Sequence, residues 1–271
     1  MAESIDWDGS GPLDLQGLLV IVPTRQSGRR LREGLAEWAA QHQQAVFPPQ
    51  VIVPEMVPGT LAELGPSASR LALTLAWAEV LLSVQLAGFR AVIPIDPPRR
   101  DFSWAYALAV RLVKVQSELA EGTLRMADVA AGDDFPEVER WRQLAELEAR
   151  VEQRLAAQGV RSRSQVEQGG EKSARVPEAC RKILLIGAPD VLPVAIRYLA
   201  KIEPLVPIEV LVAGPPDVDP AEVFDRWGRP RPERWQDREV CLVDFEHQVG
   251  LAADPASQAL EIAELAATWP H

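Results

Sequence analysis

Thr24, Arg25 and Arg29 place a hydroxyl and two guanidinium groups directly after a short apolar run, Leu18-Leu19-Val20-Ile21-Val22-Pro23. Where a strand runs straight into a helix, the first N–H groups of the helix lack an internal acceptor and the helix dipole favours an anion. Such a corner suits a nucleic-acid phosphate. The same residues also allow a plainer reading, in which Thr24 caps the helix and the arginines stay in water. A second group lies near the end of the chain, where Phe224, Trp227 and Trp235 alternate with Arg226, Arg229, Arg231 and Arg234. Aromatic faces accept any base and arginines follow phosphates, so Trp227 and Arg229 have the chemistry of a single-strand stacking strip. The alternative is an arm stiffened by Pro230 and Pro232, whose tryptophans fill an apolar hollow.

Other chemistry-bearing patterns fail on spacing. Gly169-Gly170-Glu171-Lys172-Ser173 is the nearest approach to a phosphate-cradling loop, but Glu171 stands where the last glycine belongs and no strand precedes it. After the apolar run Ile183 to Gly187 come Ala188, Pro189 and Asp190, one carboxylate where a magnesium-holding pair would be needed. A restriction-type nuclease needs an acidic residue two positions before a lysine; Leu112, Gly170, Cys180 and Leu199 occupy those places. His42, His247 and His271 are scattered, and Cys180 and Cys241 follow no metal-ligand spacing. No catalytic residue, metal site or cofactor is therefore expected.

The elements that must position these groups follow from hydrophobic period. Leu18 to Val22 is an unbroken branched run, the pattern of a parallel strand covered on both faces. A helix capped by Thr24 continues it to about His42, with Leu31, Leu35 and Trp38 as its apolar stripe and Arg25, Arg29, Arg30 and Arg32 around its first turns. Prolines leave room for only a very short strand at Val51 to Val53. Ser69 to Phe89 is apolar on nearly every side and predicts a buried helix. Trp104 to Leu119 and Val138 to Leu155 predict two amphipathic helices, and Arg161 to Arg175 a polar, mobile connection. Ile183 to Gly187, a helix over Pro193 to Ile202, and Ile208 to Ala213 then make a parallel crossover unit. A strand at Val240 to Phe245 and a helix from Pro255 to Trp269 complete the expectation.

The composition sets outer bounds. At 271 residues and 47% hydrophobic the chain can bury a sizeable core. The formal charge of −11 repels nucleic acid as a whole, so any such binding must be local or shared with a partner. The acidic start lacks a secretory signal, and no apolar run nears the roughly 20 residues of a membrane span, so a cytoplasmic location is expected.

Four segments carry a resemblance. LVIVPTRQSGRRLREGL resembles the second helicase motif of superfamily 1 as it stands in AddB, the inactivated-helicase and nuclease subunit of bacterial helicase–nuclease complexes that act in double-strand-break repair and recombination. ILLIGAPDVLPVAIRYLAKI resembles that family's decayed second nucleotide-site strand and helix, FDRWGRPRPERW its Phe-Asp-x-Trp-Gly-x-Pro segment, and ADPASQALEIAELAA the lead into the second motor domain. The resemblance implies a RecA-like (P-loop NTPase-like) parallel sheet with a degenerate nucleotide site and a helical insertion. Residues 1–60 and 176–271 would form the two parts of the α/β domain, with the insertion over 61–165. It implies a non-catalytic module that binds single-stranded DNA through Thr24, Arg25, Arg29, Trp227 and Arg229, an AddA-like helicase–nuclease subunit, or both. The family's nuclease domain has no counterpart, so an amino-terminal fragment or a short stand-alone relative is expected. Two other readings stay open: a small-molecule α/β enzyme using Thr24, Asp190 and Gly214 at its strand ends, and an interaction scaffold.

Overall fold

The computed structural model describes residues 11–132, 136–214, 218–236, 250 and 252–268. They fall into two compact units, residues 1–230 and 231–271.

The first unit is mixed α/β. Its main sheet holds β2 (Leu18–Ile21), β4 (Gln50–Ile52), β5 (Lys182–Ile186) and β6 (Ile208–Leu211), all parallel, in the order β4-β2-β5-β6. The central pair is in register at Val20 and Leu184, so strands about 160 positions apart in sequence are neighbours. Alternation along each strand sends side chains to opposite faces. Leu19, Ile21, Ile183 and Leu185 join Val57 and Leu61 of α2 (Val57–Leu61) and Tyr198 and Leu199 of α8 (Pro193–Ile202). Val20, Val22 and Leu184 face the other way, toward Leu31 of α1 (Arg25–His42). Covered on both sides, β2 and β5 read as unbroken apolar runs; truncating a core leucine such as Leu185 to alanine costs about 2–5 kcal/mol.

A small parallel pair, β1 (Leu13–Asp14) with β3 (Val46–Phe47), closes over the far end of α1. Leu13 and Leu15 are buried there with Leu35: two leucines at alternating positions are enough to anchor a short strand.

Between the halves of the main sheet lies a helical layer of α3 (Arg70–Ser83), α4 (Phe102–Glu121), α5 (Met126–Ala130) and α6 (Val138–Ala157). Ser69 caps α3 and Asp101 caps α4, and Trp77, Leu81, Ala105, Ala109, Leu147 and Val151 form the shared core. The alanines at 105 and 109 leave room for the indole of Trp77, whose Nε1–H donates to buried Gln116 at 3.0 Å. Arg100 donates to Leu81 O at 2.7 Å, satisfying a carbonyl at the end of α3. The predicted helix through Phe89 therefore stops at Ser83, and a 3-10 turn covers Leu86–Phe89. Leu71 and Leu75 remain exposed, so α3 is buried on fewer sides than its composition suggests.

The insertion leaves and re-enters the α/β body at one neck, a parallel bridge between Ser67 and Arg161 with Ala68 N–H on Arg161 O at 2.8 Å. Directly after it, the connection expected to be polar and mobile is instead ordered: α7 (Arg163–Gly170) and a 3-10 turn, Glu171–Ser173. Ser162 and Gln165 supply its start through a reciprocal capping box. The first unit closes with α9 (Pro220–Val223) and the turn that follows it.

In the second unit, α10 (Pro232–Trp235) and α11 (Pro255–Thr268) are described, with Leu260, Ile262 and Leu265 exposed on α11. The strand expected at Val240 to Phe245, and with it Cys241 and His247, lies outside the described residues, as do Trp269 and His271.

Candidate functional site

The start of α1 is built by the end of β2. Pro23 stops the strand, and Thr24 turns the chain in an extended conformation. Its Oγ1 accepts the Ser27 N–H at 3.0 Å and lies 2.9 Å from Ser27 Oγ. The hydroxyl is thus engaged as a helix cap, while the first N–H groups, those of Arg25 and Gln26, occupy positions that helix geometry leaves without an internal acceptor.

The arginines separate. Arg29 Nε donates to Glu33 Oε1 at 2.8 Å with its side chain 72% exposed, so it lies along the helix surface as half of an i,i+4 ion pair. Arg25 instead lines a cleft of about 230 Å³ together with Arg32, Gly28, Val22, Val51, Ile52, Val53 and Met56. The cleft separates α1 from the end of β4 and the 3-10 turn Pro54–Met56 that follows it. Gly28 contributes to its depth: a Cβ there would stand 3.1 Å from Val51 Cγ1, close enough that the valine would have to give way slightly. Arg32 and Met56 were not singled out as site residues in the sequence. The signal was there for Arg32, since 25, 28 and 32 share one helix face at i, i+3, i+7.

The carboxy-terminal group of candidates is arranged differently. Trp227 is only 5% exposed and packs in the core with Ile183, Leu185 and Tyr198; its ring offers no free face in this structure, because Arg226 covers it at 4.7 Å. Asp225 organises the turn by accepting from Trp227 N at 2.9 Å, Arg229 N at 3.0 Å and Arg229 Nε at 2.8 Å. Burial works against ionisation of Asp225, yet the Arg229 and Trp227 donors outweigh it and hold the carboxyl below its ordinary value. Gly228, with φ +79°, lies so close to Val210 and Val212 that a Cβ would meet both at 2.9 Å. Packing describes Trp227, while Arg229 is tied to Asp225 with its side chain 40% exposed. The structure does not bring Trp227 and Arg229 together with Thr24, Arg25 and Arg29 as one described cluster.

Gly170 in the lysine-containing loop is explained by packing as well. A Cβ there would come within 2.4 Å of Tyr198 Oη and 2.7 Å of Leu64 Cδ2. The Tyr198 hydroxyl donates to Glu167 O, and its pKa is pushed up to about 12 by burial and by Glu167 and Glu171. His42 stacks on Trp38 with ring centroids 4.3 Å apart. Among the described residues no group of three or more His, Cys, Asp or Glu could hold a metal.

A second cavity of about 250 Å³ lies between α4, α7 and α8, with Glu55, Glu121 and Glu167 in its wall; its one arginine, Arg163, is bonded to Glu167 at 2.6 Å. That charge pattern disfavours phosphate, whereas the cleft beside α1 favours it. Because the four main strands are parallel, Thr24, Asp190 and Gly214 all follow strand carboxyl ends on the same side of the sheet. Compared with known proteins, the chain matches no family model and shows significant similarity to no curated protein. No helix among the described residues is long and apolar enough to cross a membrane.

Proposed function

We propose that the chain is a non-catalytic, helicase-like module of a cytoplasmic DNA double-strand-break-repair helicase–nuclease. In this reading a RecA-like sheet of the AddB type persists as architecture, holds single-stranded DNA at the start of α1, and docks on an AddA-like motor subunit. One observation carries it: β2, which is followed by Pro23-Thr24-Arg25, pairs directly with β5 across a helical insertion, in the arrangement that the family resemblance implies. Exposed Arg25, at the start of α1, supplies local positive charge in a chain whose net charge is −11. The module does not hydrolyse ATP.

The test is salt-dependent fluorescence anisotropy of a labelled single strand, comparing wild type with Thr24→Ala/Arg25→Ala. Loss of a cap and of one charged contact is expected to weaken binding by about tenfold or more, with thermal melts confirming that the variant is folded. Equal affinity in the two proteins would remove the corner from the account. A second reading has one observation in its favour. With β4 added on one side of β2 and β5 on the other, the order of strand addition reverses between β2 and β5, and α/β enzymes bind small molecules in such crevices. A thermal shift with metabolites, and none with DNA or a motor subunit, would favour that enzyme.

A further inference from the structure

The cleft beside α1 has two unlike walls. Arg25 and Arg32 stand two helical turns apart on one side, flanking Gly28, and Val51, Val53 and Met56 form an apolar surface on the other. Among the described residues neither arginine forms an ion pair, in contrast to Arg29 on Glu33, and both are exposed. Met56 is itself 47% exposed, an apolar side chain at the mouth of a positively charged slot. A bare anion would use only the arginine side. A phosphate joined to a flat, largely apolar group would use both, with the guanidinium forks on its oxygens and the flat group against the methionine and valines.

We infer that this cleft is a binding site for one nucleotide unit, in which Arg32 and Arg25 take the phosphate and Met56 with Val51 and Val53 takes the base. The unit comes either from a single strand or from a free nucleotide. The inference deepens the nucleic-acid reading above and rests on it for the identity of the ligand, but not for the shape of the cleft. It adds Arg32 and Met56 to the binding residues and moves Arg29 out of them.

The experiment measures binding of a short labelled oligothymidylate, of thymidine monophosphate and of inorganic phosphate to the wild-type chain and to Arg32→Ala, Met56→Ala and Arg30→Ala. Arg30 is exposed and does not line the cleft. Arg32→Ala is expected to weaken the strand and thymidylate by about tenfold and to reduce the salt dependence of strand binding by about one phosphate contact. Met56→Ala weakens thymidylate and strand but leaves inorganic phosphate unchanged, and Arg30→Ala stays within about twofold of wild type. Equal losses for Arg32→Ala and Arg30→Ala would overturn the site in favour of a diffuse basic surface. Strand binding that is insensitive to Arg32 and Met56 would overturn the cleft while leaving the single-strand reading intact. Thymidylate binding that depends on Arg32, without strand binding, would support the cleft and sink that reading. Binding of neither ligand would end both.

Discussion

Glu148 is a buried carboxyl group. Only 3% exposed on α6, it accepts the Met126 N–H at 3.2 Å. Burial pushes its carboxyl up from the ordinary value and the neighbouring Glu152 pushes the same way, outweighing the pull of Arg125. Protonation is therefore more favourable in the folded state than in the unfolded chain. Stability from this group is fully present below the unfolded carboxylate pKa of about 4.3 and is lost as pH rises through the raised folded value. Glu148→Gln, which keeps an acceptor for Met126 N, should melt higher than wild type near neutral pH and converge with it toward pH 4 or so; melts across that range check this. None of this was legible beforehand, because Glu148 looks in sequence like any glutamate on a charged helix, and only the packing of α5 against α6 buries it. Thr24 was legible, since a hydroxyl between a strand and an apolar stripe is a cap whatever else it does. The split of the arginines was half legible: periodicity puts 25 and 32 on one face, but the Glu33 partner of Arg29 only shows its effect once the helix exists.

Among the elements, β2, β5, β6 and the long helices of the first unit were readable because each has a period or an unbroken apolar run that burial alone produces. The region between Arg161 and Arg175 was not. Its polar composition and paired glycines suggest a linker, yet Ser162 and Gln165 cap a helix that carries Val166 into the core, and Gly170 gives Tyr198 space. The capping box was the missed signal. Ser162→Ala should destabilise the protein by about 1 kcal/mol, and hydrogen exchange should speed up first in α7 and spare α3 and α4. Uniform acceleration across the chain would mean that α7 has no stability of its own to lose. The FDRWGRP turn misleads in the opposite direction: alternating aromatics and arginines resemble a stacking strip, whereas Asp225 and the positive φ of Gly228 fold the segment back so that Trp227 completes the core beside β5.

At the scale of the whole molecule, a parallel sheet resumed after an insertion with a single neck at Ser67 and Arg161 presents its strand carboxyl ends, and the start of α1, at one side of the first unit. Net negative charge elsewhere discourages non-specific nucleic-acid binding, so a strand should be held at this end or not at all. Photocrosslinking the chain to a single strand containing 4-thiothymidine, followed by peptide mapping, tests that directly. Crosslinks should fall on residues 23–32 and 51–56. Crosslinks confined to residues 224–235, or spread evenly over the surface, would contradict the account.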